Sequence, residues 1–322
     1  METDGAREGD LADLTVLFAT HNGAETLPRM LDALNNLDAP GEHVKIVAVD
    51  NASTDGSADL IRANSRKLNI TLLSEVRLGK NIALNKGLSE IEGDLVVLTD
   101  DDTVPRRDWL VSIRRIAEEQ PNYDIFGGAI YPLWDEKPAD WILRCFPKAY
   151  FTWTDLDEGP IEPVYVWGCN MTVRSKVFKT HRFLEGIGPD GTAKYATGSE
   201  TEFTRRAATS GHLCWHSRDC VVGHIVRAHQ IKPEWLLQRA YNQAKGWRRM
   251  NTIHNLKDRS AVTVAIKFCG ATFGLARACV FGSFEDRLRA KVRLRALQGE
   301  LNELWFSAES ITARWFAGQW KR

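Results

Sequence analysis

Four short, nearly continuous apolar runs dominate the first hundred residues: "LTVLFAT", "VKIVAVD", "ITLLSEV" and "DLVVLTD". Each of the first three is followed by a helix-forming stretch. After "HNGAETL", residues Leu27, Met30, Leu31 and Leu34 share one helical face. "NASTDGS" leads into "ADLIRANSRKL", and the third run leads into "NIALNKGLSEI". Strands that are apolar on both sides, alternating with amphipathic helices, imply a mostly parallel sheet covered by helices on both faces. In such sheets ligands bind beyond the carboxyl ends of the strands. Those ends are Thr20-His21-Asn22, Asp50-Asn51 and Asp100-Asp101-Asp102.

With 322 residues and 43% hydrophobic content the chain can bury a substantial core. Basic and acidic residues both total 42, so no global field favours nucleic acid. The cysteines, Cys145, Cys169, Cys214, Cys220, Cys269 and Cys279, include no C-x-x-C pair, and no apolar leader precedes Leu11. Reduced thiols in a cytoplasmic protein are expected. The apolar stretch from Ala261 to Phe284 is interrupted by Lys267 and Arg277, and is expected to fall short of the ~20 residues a membrane span needs.

Three adjacent carboxylates at the end of a strand repel one another, by about 1 kcal/mol per pair at ~4 Å in water and more near a protein interior. A solvated acidic turn is one reading of "LTDDDTVP". A hard divalent cation is the other, since magnesium or manganese is held by one or two carboxylates together with substrate phosphates. In an extended segment alternate side chains share a side, which would aim Asp100 and Asp102 at one ion and Asp101 elsewhere. No G-x-G-x-x-G follows a strand and no G-x-x-x-x-G-K-[ST] occurs, so phosphate binding must be arranged in another way. "HLCWHSRDC" alternates His212, Cys214 and His216, but lacks the paired spacing of a zinc site and reads as a strand.

"LTVLFATHNGAETLPRMLDAL", "IVAVDNASTDGSADLI", "GKNIALNKGLSEIEGDLVVLTDDDTVPRRDWL" and "GSETEFTRRAATSGH" occur in the order found in family two glycosyltransferases. The chain resembles that family from about Leu14 to Met250. The resemblance implies a GT-A fold: an α/β, Rossmann-like, mostly parallel sheet with helices on both faces, here followed by a helical C-terminal extension. It implies inverting, metal-dependent transfer of a sugar from a nucleoside-diphosphate sugar to a hydroxyl of a carbohydrate or lipid-linked acceptor, in glycan or polysaccharide assembly. A nucleotidyltransferase and a non-catalytic sugar-nucleotide or glycan-binding module are the alternatives.

The same resemblance distributes roles. Thr20, His21, Asp50, Asn51, Lys80, Asp100 and Asp101 would meet the donor nucleotide, with Asp50 on the base or ribose and His21 near the base. Asn51 stands where the family often has a second aspartate. Asp100, Asp102 and His224 would hold Mn2+ or Mg2+. Ser199 replaces the usual glutamate of the family's acidic segment, so Glu200 is the candidate base and Glu202 the fallback. Trp167 and Asn170, in "WGCNM", would line the sugar site, with Trp134 and Trp153 as further stacking surfaces. The Q-x-x-R-W motif of processive relatives is absent, which favours transfer of one or a few residues.

The expected organisation is an N-terminal arm over 1–10 and a catalytic domain over 11–250, its nucleotide half at 11–120 and its acceptor half at 121–250. A helical extension follows over 251–322. That extension carries Arg287, Arg289, Lys291, Arg293 and Arg295 beside an apolar segment. Peripheral docking on the cytoplasmic face of a membrane, a helical cap, and a homodimer contact fit it equally.

Overall fold

A computed structural model describes residues 14–38 and 44–316, with side chains described through Trp305; the expected arm at 1–10 lies outside the described residues. The alternating pattern yields β1 (Leu14–Thr20), α1 (Leu27–Asn35), β2 (Val44–Asp50), α2 (Ser57–Asn64), β3 (Ile70–Ser74), α3 (Lys80–Gly87) and β4 (Leu95–Thr99). There follow β5 (Thr103–Pro105), α4 (Trp109–Glu119), β6 (Ile125–Trp134), α5 (Asp140–Cys145), β7 (Gly159–Pro160) and β8 (Asn170–Arg174). The chain continues through α6 (Ser199–Thr209), β9 (Cys214–Val226), α7 (Pro233–Ile253), α8 (Ala261–Phe281) and α9 (Phe284–Phe316).

The sheet runs β3-β2-β1-β4-β8-β6-β9-β5, with β7 paired to β9. Its first four strands are parallel and β8 is antiparallel to β4. Successive strand residues point to opposite sides, and the core divides accordingly. Val16, Phe18, Ile46, Ala48, Leu95 and Val97 pack on one face with Leu27, Met30, Ile61 and Trp109. Leu17, Val47, Val49, Val96 and Leu98 pack on the other with Ala83, Leu84, Phe203 and Ala207. Both faces being covered is why these strands read as unbroken apolar runs. The register pairs Thr20 with Asp50 and Asp50 with Ser74, so the polar strand ends finish level along one edge.

The chain divides into two compact units. Among the described residues, one comprises 14–38, 44–132, 152–183 and 203–225, and holds the sheet; the other comprises 133–151, 184–202 and 226–316. The second unit has its own core of Ile142, Phe146, Phe151, Ile231, Leu236, Ala240 and Leu288. In it α7 and α9 approach so closely that a Cβ on Gly299 would collide with the Tyr241 carbonyl. Arg249 clamps the same pair of helices by a bidentate bond to Glu303, at 2.7 and 2.8 Å.

One expectation needs correction here. The segment from Ala261 forms a 21-residue helix that is long and apolar enough to cross a membrane by length and composition. Two charges in 21 positions do not break such a helix, because long cationic side chains can reach toward a polar boundary.

Candidate active site

The strand ends of the sheet-bearing unit build a polar rim. After β4 the backbone turns sharply: the Thr103 amide and hydroxyl both donate to the Asp100 carbonyl, at 3.3 and 2.8 Å. The Thr103 hydroxyl also lies 2.7 Å from that of Thr99. Asp100, Asp101 and Asp102 therefore sit in a turn rather than an extended segment, and the expected two-up, one-down arrangement does not apply.

Each carboxylate goes a different way. Asp100 accepts from Lys80 Nζ at 2.6 Å. Asp101 accepts from the Thr20 hydroxyl, and its carboxylate lies so close to Gly23 that any side chain there would collide with it. Asp102 Oδ2 lies 3.6 Å from His224 Nε2. This last proximity comes from the backbone: β5 pairs antiparallel with β9 so that Thr103 opposes His224, and the Ile225 amide donates to the Asp102 carbonyl at 2.8 Å. Splaying three like charges onto separate neighbours is how the fold tolerates them.

The expected ligand trio is thus only partly assembled. Asp102 and His224 come together, whereas Asp100 is paired with Lys80. Among the described residues no group of three His, Cys, Asp or Glu is placed to hold a metal ion. One carboxylate oxygen beside one imidazole nitrogen is a donor set that suits manganese or magnesium completed by substrate phosphate oxygens.

On the neighbouring strand ends, Asp50 is buried and accepts from the Ser53 amide at 3.3 Å. His21 is exposed and fixed by its Nδ1, 2.7 Å from the Asn51 carbonyl, so its ring is held at the rim. Asn51 corrects an expectation. Its side chain is buried, with Nδ2 donating to the Glu75 and Arg77 carbonyls at 3.0 and 2.7 Å and Oδ1 accepting from the Gly79 amide at 2.8 Å. The amide is occupied in holding the loop between β3 and α3, which leaves it unsuited to reading a nucleotide. A carboxylate could not donate to those two carbonyls. Asn51→Asp is expected to cost about 1–3 kcal/mol, measured as a lowered urea midpoint; unchanged stability with altered nucleotide preference would contradict this role.

Asn170 is corrected in the same way. It is 3% exposed, its Nδ2 donates to the Ala129 and Cys220 carbonyls at 3.0 and 2.8 Å, and its Oδ1 accepts from Trp109 Nε1 at 3.0 Å. It ties interior elements together and presents nothing to a sugar. Trp167 is half-buried against the sheet core, with Nε1 donating to the Val164 carbonyl at 3.3 Å. Trp134 packs edge-on against Phe151, ring centroids 5.1 Å apart, and Trp153 is half-buried. The set aside zinc reading finds no support either. His212 lies 2.7 Å from Asp124, and burial pushes the Cys214 thiol up to about 12.

The acids of α6 belong to the second unit and differ in environment. Glu202 is 1% exposed, with Oε1 3.5 Å from His254 Nε2. Glu200, in the same first turn, is half-buried. His254 lies far along the chain at the end of α7, and nothing in the sequence pointed to it.

The family profile described as "Glycosyl transferase family 2" matches residues 15–182, more than half of the chain. The chain belongs to glycosyl transferase family 2. Its fold is the GT-A fold, and the chain spans from 24% to 42% of the length of several curated relatives that it matches. Over 240 residues it is 23% identical to glycosyltransferase AglE of Haloferax volcanii, covering 72% of each chain. It is 29% identical over 129 residues to the undecaprenyl-phosphate 4-deoxy-4-formamido-L-arabinose transferase of Serratia proteamaculans, a match that spans 38% of each. Among solved structures, the mannosyltransferase PcManGT of Pyrobaculum calidifontis, in complex with GDP-Man and Mn2+, superposes with a TM-score of 0.60 at 19% identity, covering 92% of this chain and 88% of that one. At that identity the likeness speaks for the fold.

Proposed function

We propose that the protein is an inverting glycosyltransferase that moves one sugar, or a few, from a nucleoside-diphosphate sugar to the hydroxyl of a lipid-linked glycan acceptor. The observation that carries this reading is the level edge at which Asp50, His21, Lys80 and the splayed aspartates meet, with Asp102 beside His224. Asp50 is an acceptor-only group suited to ribose or base N–H and O–H donors, and the fixed, exposed His21 ring offers a face to the base. Lys80, already drawn to this rim by Asp100, is a cation within reach of a diphosphate.

Asp102 and His224 would hold a divalent cation, manganese or magnesium. When bound, it supplies charge neutralisation for the departing nucleoside diphosphate. Glu200 takes the proton from the acceptor hydroxyl as the new bond from that oxygen to the anomeric carbon forms and the bond to the diphosphate oxygen breaks, and one carboxylate suffices for a single inverting displacement. The lipid-linked acceptor is suggested by relatives that act on undecaprenyl phosphate or on dolichyl phosphate sugars. Such acceptors are met at a membrane surface, and we place the chain there as a peripheral protein on the cytoplasmic side, consistent with its six free cysteines.

Calorimetry with UDP, GDP and dTDP sugars, with and without Mn2+, tests the reading. One nucleotide sugar is expected to bind only when the metal is present. Equal binding without metal, or none under either condition, would refute it.

A further inference from the structure

In the second unit, α8 is apolar around most of its circumference, and only one side of it is covered. Val264 and Ala271 are buried with Leu297, and Phe268, Leu294, Leu301 and Leu304 pack around them, so one side of α8 lies on α9. The other side is bare. Val262, Ile266, Phe273 and Val280 recur at helical spacing and are exposed, Phe273 at 74%; Phe281 at the helix end is exposed at 85%. A helix apolar all round is ordinarily buried in a core or in lipid, and a contiguous exposed apolar face of this kind marks an interaction surface.

We infer that α8 is the membrane-docking element of this protein, lying in the plane of an anionic bilayer surface with its outer face sunk into the headgroup and acyl boundary. This rests on the peripheral location proposed above and specifies how it is achieved.

Charge identifies the occupant. α8 contains no acidic residue and carries Lys267 and Arg277. Directly after it, α9 presents Arg289, Lys291 and Arg293 to solvent. The acids at the start of α9 are committed: Glu285 is 2.7 Å from Arg144, and Asp286 accepts from the Ser283 amide and hydroxyl that open the helix. An apolar face on a helix whose only charges are cationic, followed in the chain by exposed Lys291, Arg293 and an Arg289 that reaches Glu285 at 3.5 Å, complements anionic lipid. A second copy meeting the same face across a two-fold axis would set Lys267 and Arg277 among cations of its own kind, with no acid on the helix to receive them.

The orientation follows from what covers the inner side. α9 carries Glu300, 3.1 Å from Arg259, and Glu303, clamped by Arg249, close to the leucines on which α8 packs. At 21 residues α8 is about 31 Å long and could reach across a bilayer. Crossing would carry these charges into hydrocarbon or strip α8 from α9, whereas lying in the interface keeps both the packing and the hydration.

Co-sedimentation of the full chain with vesicles of phosphatidylcholine alone, and of phosphatidylcholine mixed with phosphatidylglycerol, tests this. The chain is expected to pellet with the mixed vesicles and to be released by high salt or alkaline carbonate. Phe273→Glu with Val280→Glu should lower partitioning at least about tenfold. Arg289→Glu, Lys291→Glu and Arg293→Glu together should reduce it to the level seen on phosphatidylcholine alone. All five sites are exposed, and retained nucleotide binding in calorimetry shows that each variant is folded. That control also separates this inference from the proposed transfer, which the calorimetry tests without lipid. Failure to pellet with either vesicle, resistance to carbonate, or full partitioning of the Phe273 and Val280 variant would overturn the inference. So would a lipid-free dimer in light scattering that this variant dissociates.

Discussion

Asp102→Asn is expected to abolish metal-dependent binding of the donor and to lower transfer by about a thousandfold or more. A divalent cation stabilises developing charge by several kcal/mol, and each 1.36 kcal/mol is a decade in rate. Asp102 is the aspartate of the three that faces an imidazole, and the β5 to β9 pairing fixes that geometry independently of any ligand. His224→Ala should act in the same direction. The other two aspartates are expected to behave differently. Asp100→Asn removes the partner of Lys80 and should weaken donor binding with or without metal. Asp101→Asn can still accept from Thr20 through its amide oxygen and should have the smallest effect. Manganese binding followed by electron paramagnetic resonance separates the three, because only the Asp102 variant should lose the metal while retaining the fold. Equal metal affinity in Asp102→Asn and the unaltered protein would remove this residue from the cation site.

The sequence revealed the parallel half of the sheet because strands buried on both faces leave an unmistakable mark, and Val16 to Phe18, Ile46 to Val49 and Leu95 to Leu98 carry it. It also revealed where those strands end, because the position of a strand end is a local property. It did not reveal how each polar side chain is spent. Asn51 and Asn170 looked like ligand-facing amides, and both turned out to satisfy buried carbonyls supplied by segments up to fifty residues away. Spacing carries no information about such partners. The aspartate triplet was misjudged for a related reason: a period of two holds for extended backbone, and the Thr103 side chain and amide convert the segment into a turn. For α8, counting uncharged runs understated the length of the apolar helix, because Lys267 and Arg277 sit within it without ending it.

Glu200→Gln and Glu202→Gln are expected to separate catalysis from packing. Both acids lie in the first turn of α6, where negative charge is favoured by the helix dipole, so neither position is informative in itself. Burial distinguishes them. Glu202 is 1% exposed, and its carboxylate lies 3.5 Å from His254 at the end of α7, which suits a residue with a packing role within the second unit. A base must meet an incoming hydroxyl at hydrogen-bond distance, and the half-buried Glu200 retains the access that this requires. Glu200→Gln should therefore lower kcat by about 10²–10⁴-fold, the range general-base catalysis supplies, with donor affinity and thermal midpoint unchanged. Glu202→Gln should lower the thermal midpoint, and His254→Ala should lower it similarly, with the double variant costing less than the sum because the two side chains share one contact. Measuring kcat, donor affinity and thermal midpoint on all four proteins decides the assignment. If Glu202→Gln were stable and inactive while Glu200→Gln turned over normally, the base would be Glu202 and its proximity to His254 would become part of the proton path.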